Sequence, residues 1–167
     1  MIQPRFPRFG AACAAVAVIV MLFSGAPALA AGGDGAGGGG DAQPRPGSAE
    51  FQEARKLIKK ERYAEAIPLL QKAVTAQPGN PDFLTELAYA SRKSGDTASA
   101  FRYYDEALSI DPEHVGAMNY LGILYVQTGD VEKAEVLLQR IDDECFFTCE
   151  EYTTLKAVIE GGDPTAY

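Results

Sequence analysis

Pro81 to His114 reads PDFLTELAYASRKSGDTASAFRYYDEALSIDPEH, and this stretch decides the fold. Leu84, Leu87 and Ala88 recur at helical spacing, and Ala100, Tyr104 and Ala107 do so again further on. Gly95-Asp96 separates the two runs and Asp111-Pro112 closes the second, as turn residues do. One helical hairpin is therefore expected. The pattern returns at one constant interval in either direction, as Ala66, Ala100 and Ala134, then as Ala54, Ala88 and Gly122, and as Leu70, Tyr104 and Leu138. Ala73 and Ala107 continue the series, followed by Ile141, and Pro78 pairs with Pro112. Small residues at fixed phases let two helix axes approach closely, while larger ones fill the space on either side. An interval of about 34 residues is that of stacked helical hairpins.

These residues resemble the tetratricopeptide repeat. The resemblance is fullest over 81–114 and over the repeat that begins at Val115, with Met118, Leu121, Gly122, Tyr125, Gly129-Asp130, Ala134 and Leu138. The first repeat, about 47–80, is similar in its second half (Tyr63, Ala66, Leu70, Ala73, Pro78). Its first half departs, because Glu50 and Glu53 stand where large apolar residues are expected. Phe51, Ala54, Leu57 and Ile58 still form a helical stripe, so a rotated or less firmly packed first helix is expected. The resemblance implies an all-α, right-handed superhelix of about three hairpins (47–80, 81–114 and 115–144) within a domain spanning 48–160. A capping helix is expected at 149–160, with Thr148 and Glu151 as a capping box and Tyr152, Leu155, Val158 and Ile159 on its apolar side. Gly161-Gly162 and Pro164 stop it, leaving 161–167 as a tail. Pro68, inside a predicted helix, is expected to remove one hydrogen bond and bend the chain slightly.

Residues 1–30 read as an export signal. Arg5 and Arg8 precede an apolar run from Ala11 to Phe23, and Ala28-Leu29-Ala30 supplies a peptidase site. The apolar run is shorter than the roughly 20 residues that a membrane helix needs, so cleavage is expected over retention as an anchor. Residues 31–47, with Gly37 to Gly40 in a row, cannot bury a core and read as a flexible linker. A periplasmic or secreted bacterial protein is the resulting expectation.

The chain carries 15 basic and 23 acidic residues, a net of −8. Loss of Arg5 and Arg8 with the leader would leave 13 against 23, or −10. Such a balance, without a basic cluster, argues against nucleic acid and against anionic lipid surfaces. Catalysis has little to work with. His114 is the single histidine and falls in a polar turn, where it is expected to be solvated. No phosphate loop, metal-ligand helix or nucleophile motif is present in the sequence, so neither an enzyme nor a bound cofactor is expected. The acidic cluster Asp142, Asp143, Glu144, Glu150 and Glu151 lacks the alternating ligands and glycine turn of a calcium loop.

Cys145 and Cys149 leave three readings open: a disulfide holding the start of the last helix, two reduced and partly buried thiols, or a redox or copper-handling pair. Against copper, no third soft ligand is near, since Met118 is predicted to be core.

In the resembled family, the first helix of each hairpin lines a concave surface. Carried onto this chain, its positions are Phe51, Arg55, Ile58 and Lys59; Asp82, Thr85, Tyr89, Arg92 and Lys93; and Asn119, Ile123, Val126 and Gln127. Four cations (Arg55, Lys59, Arg92, Lys93) then face a groove beside Tyr89 and Asn119. The implied function is a non-catalytic adaptor that binds an acidic or mixed peptide of another protein. A thiol-based module is the alternative, and self-association through the first repeat is a third option.

Overall fold

The computed structural model describes Arg45, residues 47–145 and residues 149–167. The expected leader, nearly all of the linker and Thr148 lie outside these residues. No helix among those described is long and apolar enough to cross a membrane.

Seven helices and no strand occur among the described residues: α1 (Ser48–Ile58), α2 (Tyr63–Ala76), α3 (Pro81–Lys93), α4 (Thr97–Ile110), α5 (Val115–Thr128), α6 (Val131–Glu144) and α7 (Glu150–Ile159). α1 pairs with α2, α3 with α4 and α5 with α6, and successive hairpins stack α2 on α3 and α4 on α5. The odd-numbered helices also touch in order, α1 to α3, α3 to α5 and α5 to α7, forming one inner row. This is an all-α helical-repeat solenoid.

The periodic series is the core. Ala54, Ala66, Ala88, Ala100 and Ala134 are fully buried, and so are Leu70, Tyr104, Ala73, Ala107 and Ile141. α5 sits at the centre of the larger cluster and is buried on nearly every side, from Ala117 to Leu124. The series also explains how α7 docks. A Cβ added at Gly122 would lie 2.6 Å from Leu155 Cδ2 and 2.8 Å from Cδ1, so the glycine leaves the space that Leu155 fills. α7 thus closes the apolar end of the stack by packing on both helices of the third hairpin.

The turns repeat as well, with one departure. Gly95 and Gly129 adopt left-handed backbone, each with φ +88, and each is followed by an aspartate that starts the next helix. In the first hairpin the corresponding residue is Glu61, the one non-glycine with positive φ (58) among the described residues. Arg62 replaces the aspartate there and pairs with Glu65, much as Asp130 pairs with Lys133, whereas Asp96 caps α4 by accepting from the Ser99 N–H. The first hairpin therefore departs from the pattern in its turn as well as in α1, whose only fully buried residue is Ala54. α1 is nonetheless anchored: Phe51 stacks on Phe83 at 4.5 Å, and Arg55 Nε lies 3.4 Å from Glu86 Oε1. Pro68 lies on the exposed face of α2, and the helix continues through it.

Cys145 and Cys149 end α6 and begin α7, with sulfurs 2.13 Å apart and Cα atoms 6.0 Å apart. Both are half-buried against the core. The expected helix over 149–160 narrows to Glu150–Ile159, with Cys149 as N-cap, so Glu151 stands one position early for the expected capping box.

Two stability measurements follow from this packing. Replacing Glu61 by Gly should relieve left-handed strain and raise stability by about 0.5–1 kcal/mol, read as a higher urea midpoint with unchanged slope. Leu155→Ala should cost about 2–4 kcal/mol. Gly122→Ala should destabilise the native chain yet cost much less when Leu155 is already alanine, a coupling that a double-mutant cycle would read.

Candidate peptide-binding groove

The inner row carries an unusual set of buried polar side chains. Thr85 is 6% exposed, Arg92 6% and Asn119 5%. Thr85 Oγ1, Arg92 Nε and Asn119 Oδ1 have no protein partner within hydrogen-bonding reach. Buried polar groups are ordinarily paired, because an unpaired one costs about 1–3 kcal/mol. Asn119 lines a cavity of about 310 Å³, walled by Tyr89 and Tyr120 on one side and by Glu150, Glu151 and Thr154 of α7 on the other. Beside it lies a second hollow of about 300 Å³, lined by Phe51, Arg55, Thr85, Glu86 and Tyr120 among others.

Tyr120 lines both hollows and Tyr89 the first, and a row of rings runs on from them to Tyr63. Tyr63 meets Tyr89 edge-on at 6.1 Å, and Tyr89 meets Tyr120 at 5.0 Å. Arg92 lies over the Tyr89 ring at 5.3 Å, and Lys93 lies near both Tyr63 (5.9 Å) and Tyr89 (6.0 Å). Burial pushes the Tyr89 hydroxyl up to about 12, so it remains a neutral donor. Burial, then the neighbouring Arg92, holds the Lys93 ammonium below its ordinary value. No side-chain carboxylate among the described residues forms an ion pair with Arg92 or Lys93. Arg55, by contrast, is taken by Glu86, whose carboxyl is pushed up by burial and pulled back by Arg55.

The chain's own last described residues fill part of this surface. Pro164 O accepts from Arg92 Nη1 (3.3 Å) and from Gln127 Nε2 (3.1 Å). Thr165 O accepts from Lys93 Nζ at 2.8 Å, and Tyr167 O accepts from both Lys93 Nζ (3.4 Å) and Arg92 Nη2. Ala166 and Tyr167 complete the wall of the larger cavity.

Of the groove residues expected from sequence, Tyr89, Arg92, Lys93, Asn119 and Gln127 are brought together here, while Phe51 and Arg55 flank the second hollow. Two stand apart. Lys59 is exposed as the C-cap of α1, and Ile123 is fully buried in the core with Leu155 and Val158. The reason for the second is α7: by packing on α5 as a fourth inner helix, it covers a face that would otherwise be groove. The groove is also not uniformly cationic, because Glu86, Glu150 and Glu151 oppose Arg92 and Lys93. Sequence reasoning passed over Tyr120, the two glutamates of α7 and the tail. Tyr120 stands one residue beyond Asn119, and only a three-dimensional register brings it beside Tyr89.

His114 corrects the expectation of a solvated ring. Its side chain is only 17% exposed. Nδ1 accepts from the Ala117 N–H at 3.0 Å, which leaves the proton on Nε2 to donate to Asp82 Oδ1 at 3.0 Å. It stands one full repeat after Asn80, which caps α3 through the N–H groups of Asp82 and Phe83. His114 is therefore a helix cap tied to the neighbouring repeat. Among the described residues, no group of three or more His, Cys, Asp and Glu side chains is placed to hold a metal ion.

The tetratricopeptide repeat family matches twice, over residues 51–113 and 91–159, which together take in all seven helices except the first three residues of α1. The chain belongs to the tetratricopeptide repeat family. Among curated proteins it is 33% identical over 78 residues to the TPR repeat-containing thioredoxin TTL4 of Arabidopsis thaliana, covering 47% of this chain and 11% of that protein. It is 43% identical over 54 residues to cellulose synthase 2 operon protein C of Komagataeibacter xylinus, covering 32% of this chain and 4% of that one. The chain thus spans only a small part of these relatives. Among solved structures, the first TPR of Spaghetti (RPAP3) bound to an HSP90 peptide has a TM-score of 0.62 at 21% identity, over 69% of this chain and 91% of that one. The type III secretion translocator chaperone SycD of Yersinia enterocolitica has a TM-score of 0.63 at 15% identity, over 68% and 87%. At these identities the likeness is one of fold.

In this tetratricopeptide domain, His114→Ala should lower stability by about 1 kcal/mol, and His114→Asn should recover most of the loss by restoring the cap acceptor. Equal losses in chemical denaturation would remove capping as the role of the ring.

Proposed function

We infer that this protein is a non-catalytic interaction module whose inner groove takes an extended peptide segment of another protein. One observation carries the reading: on the inner row, Arg92 and Asn119 are buried with atoms left unpaired, beside a row of tyrosines and an open cavity. A stack needs no such groups for its stability, whereas a ligand with complementary atoms would satisfy them. Charge assigns the orientation. The Arg92 and Lys93 end suits carboxylate or carbonyl oxygens, and the Glu150 and Glu151 end suits a donor or a cation, so the partner segment is of mixed charge with its acidic part toward α3.

The family fits this role, since two solved tetratricopeptide structures similar in fold hold an HSP90 peptide, and SycD is known in complex with a peptide of the translocator YopD. The leader-like 1–30 segment supports action in the periplasm or outside the cell. In that setting the Cys145 and Cys149 pair acts as a disulfide staple, not as a redox or copper centre. Its support is position: both residues are half-buried, at the junction of two helices, against the core.

Selection of short displayed peptides on the native protein should enrich carboxylate-bearing sequences. Lys93→Glu or Arg92→Gln should then weaken the selected peptides by about tenfold, the effect of one charge-assisted hydrogen bond. Because Arg92 and Lys93 also hold Pro164, Thr165 and Tyr167, the comparison is repeated without residues 163–167, and affinity unchanged in both variants there would remove the groove as the binding site. Light scattering on the same samples reads the oligomeric state, and a dimer would direct attention to the first hairpin.

A further inference from the structure

The residues after α7 are turned back on the groove by specific local chemistry. Gly161 takes φ +106 while its N–H bonds Val158 O at 3.2 Å, and the Gly162 N–H bonds Ala157 O at 2.9 Å. A Cβ at Gly162 would stand 2.8 Å from Ala157 O, so this route requires a glycine there. Asp163 then accepts from the Thr165 N–H (2.8 Å) and hydroxyl (2.7 Å), which sets a second bend around Pro164. The result is a short segment whose main-chain oxygens accept from Arg92, Lys93 and Gln127 on two different helices.

We propose that Asp163–Tyr167 is the resident occupant of the groove, held through its main-chain oxygens, and that a partner peptide binds by displacing it. This rests on the reading of the groove as a peptide site. It also defines that site further: what Arg92, Lys93 and Gln127 recognise is main-chain oxygen, presented here by a turn at Pro164 and Thr165 and by Tyr167.

Three features support displacement over permanent closure. First, every bond from these three side chains goes to a main-chain oxygen, so a segment of different sequence can accept the same bonds. Second, the segment is shallow. Pro164 is half-buried and the other four residues are exposed, while the cavity beneath stays open and Asn119 Oδ1 stays unpaired. A partner that fills the cavity and offers Asn119 a donor therefore makes contacts that the resident segment does not. Third, two glycines tether the segment to α7, and so short a link sustains an effective concentration on the order of millimolar. Individually weak contacts then suffice to keep it docked, and a segment with a dissociation constant of about 100 μM would weaken a competitor about tenfold.

The test compares the full chain with a form lacking residues 163–167 and with full-chain Gly162→Val, which keeps the segment but re-aims it. The probe is a labelled peptide of the 161–167 sequence, Gly-Gly-Asp-Pro-Thr-Ala-Tyr, followed by fluorescence anisotropy. The shortened form should bind the probe about tenfold more tightly than the full chain, Gly162→Val should approach the shortened form, and Lys93→Glu should abolish uptake. In the full chain, NMR relaxation should show residues 163–167 as ordered as α7. Equal probe affinity for full and shortened forms, or a freely moving segment in the full chain, would overturn the proposal. If groove-selected peptides still depend on Lys93 in that case, the peptide-site reading stands alone. If instead those peptides are indifferent to Lys93 in the form lacking residues 163–167, where no resident segment competes, the peptide-site reading fails, and displacement by a partner fails with it.

Discussion

Everything in this molecule depends on how closely the helices of each hairpin can approach. Ala54, Ala66, Ala88, Ala100 and Ala134 are all without solvent exposure, and Gly122 is buried in the same series. A larger side chain at any of them would push two axes apart, and the larger residues beside them (Leu70, Tyr104, Ile141) would lose contact together. Close packing is unforgiving in this way because interiors approach crystal density. The sequence period is thus a recurring steric constraint, and it sets the spacing of the inner row from which the groove is built.

The groove marks where packing stops being the governing demand. The outer partners in each hairpin bury alanines, leucines and Tyr104, whose hydroxyl also lacks a protein partner, whereas the inner row buries three polar residues, Thr85, Arg92 and Asn119, with atoms unpaired among its apolar ones. Each such group costs about 1–3 kcal/mol against an apolar residue of similar shape. A chain of ordinary stability, on the order of 5–15 kcal/mol, carries several of them only at positions with another purpose. The tyrosines fit the same account, since Tyr63, Tyr89 and Tyr120, each half-buried, join rings across three helices.

The hairpins were legible because their determinants are local and periodic: a glycine at a left-handed turn, an alanine at a crossing, a proline after a helix. Tyr89, Arg92, Lys93, Asn119 and Gln127 could be placed on one surface by carrying helix phase from repeat to repeat. Ile123 had the right phase and the wrong environment, because its exposure depends on α7, an element outside the period. His114 was misjudged for the opposite reason. Its neighbours are polar, but its ring occupies the cap position that Asn80 holds one repeat earlier, and histidine is a rare enough cap that composition hid the equivalence. Glu61 likewise hid a left-handed turn that glycine announces in the other two repeats. The tail was invisible to pattern reading, since its contacts use main-chain oxygens that every sequence has.

α7 concentrates these non-periodic effects. Cys145 and Cys149 lie side by side where α6 ends and it begins, Leu155 fixes its middle against Gly122, and Gly161-Gly162 fix the direction in which the chain leaves. A disulfide between residues four apart would remove little entropy from an unfolded chain, so the staple proposed for this pair would act chiefly on position. These features act in series on one short helix, which supplies the acidic wall of the cavity and leads into the segment lying across it. A shift of α7 by the width of one methyl group would change the cavity and the aim of the tail together. The periodic part of the chain therefore builds a generic surface, and the short non-periodic part at its end decides what that surface is free to hold.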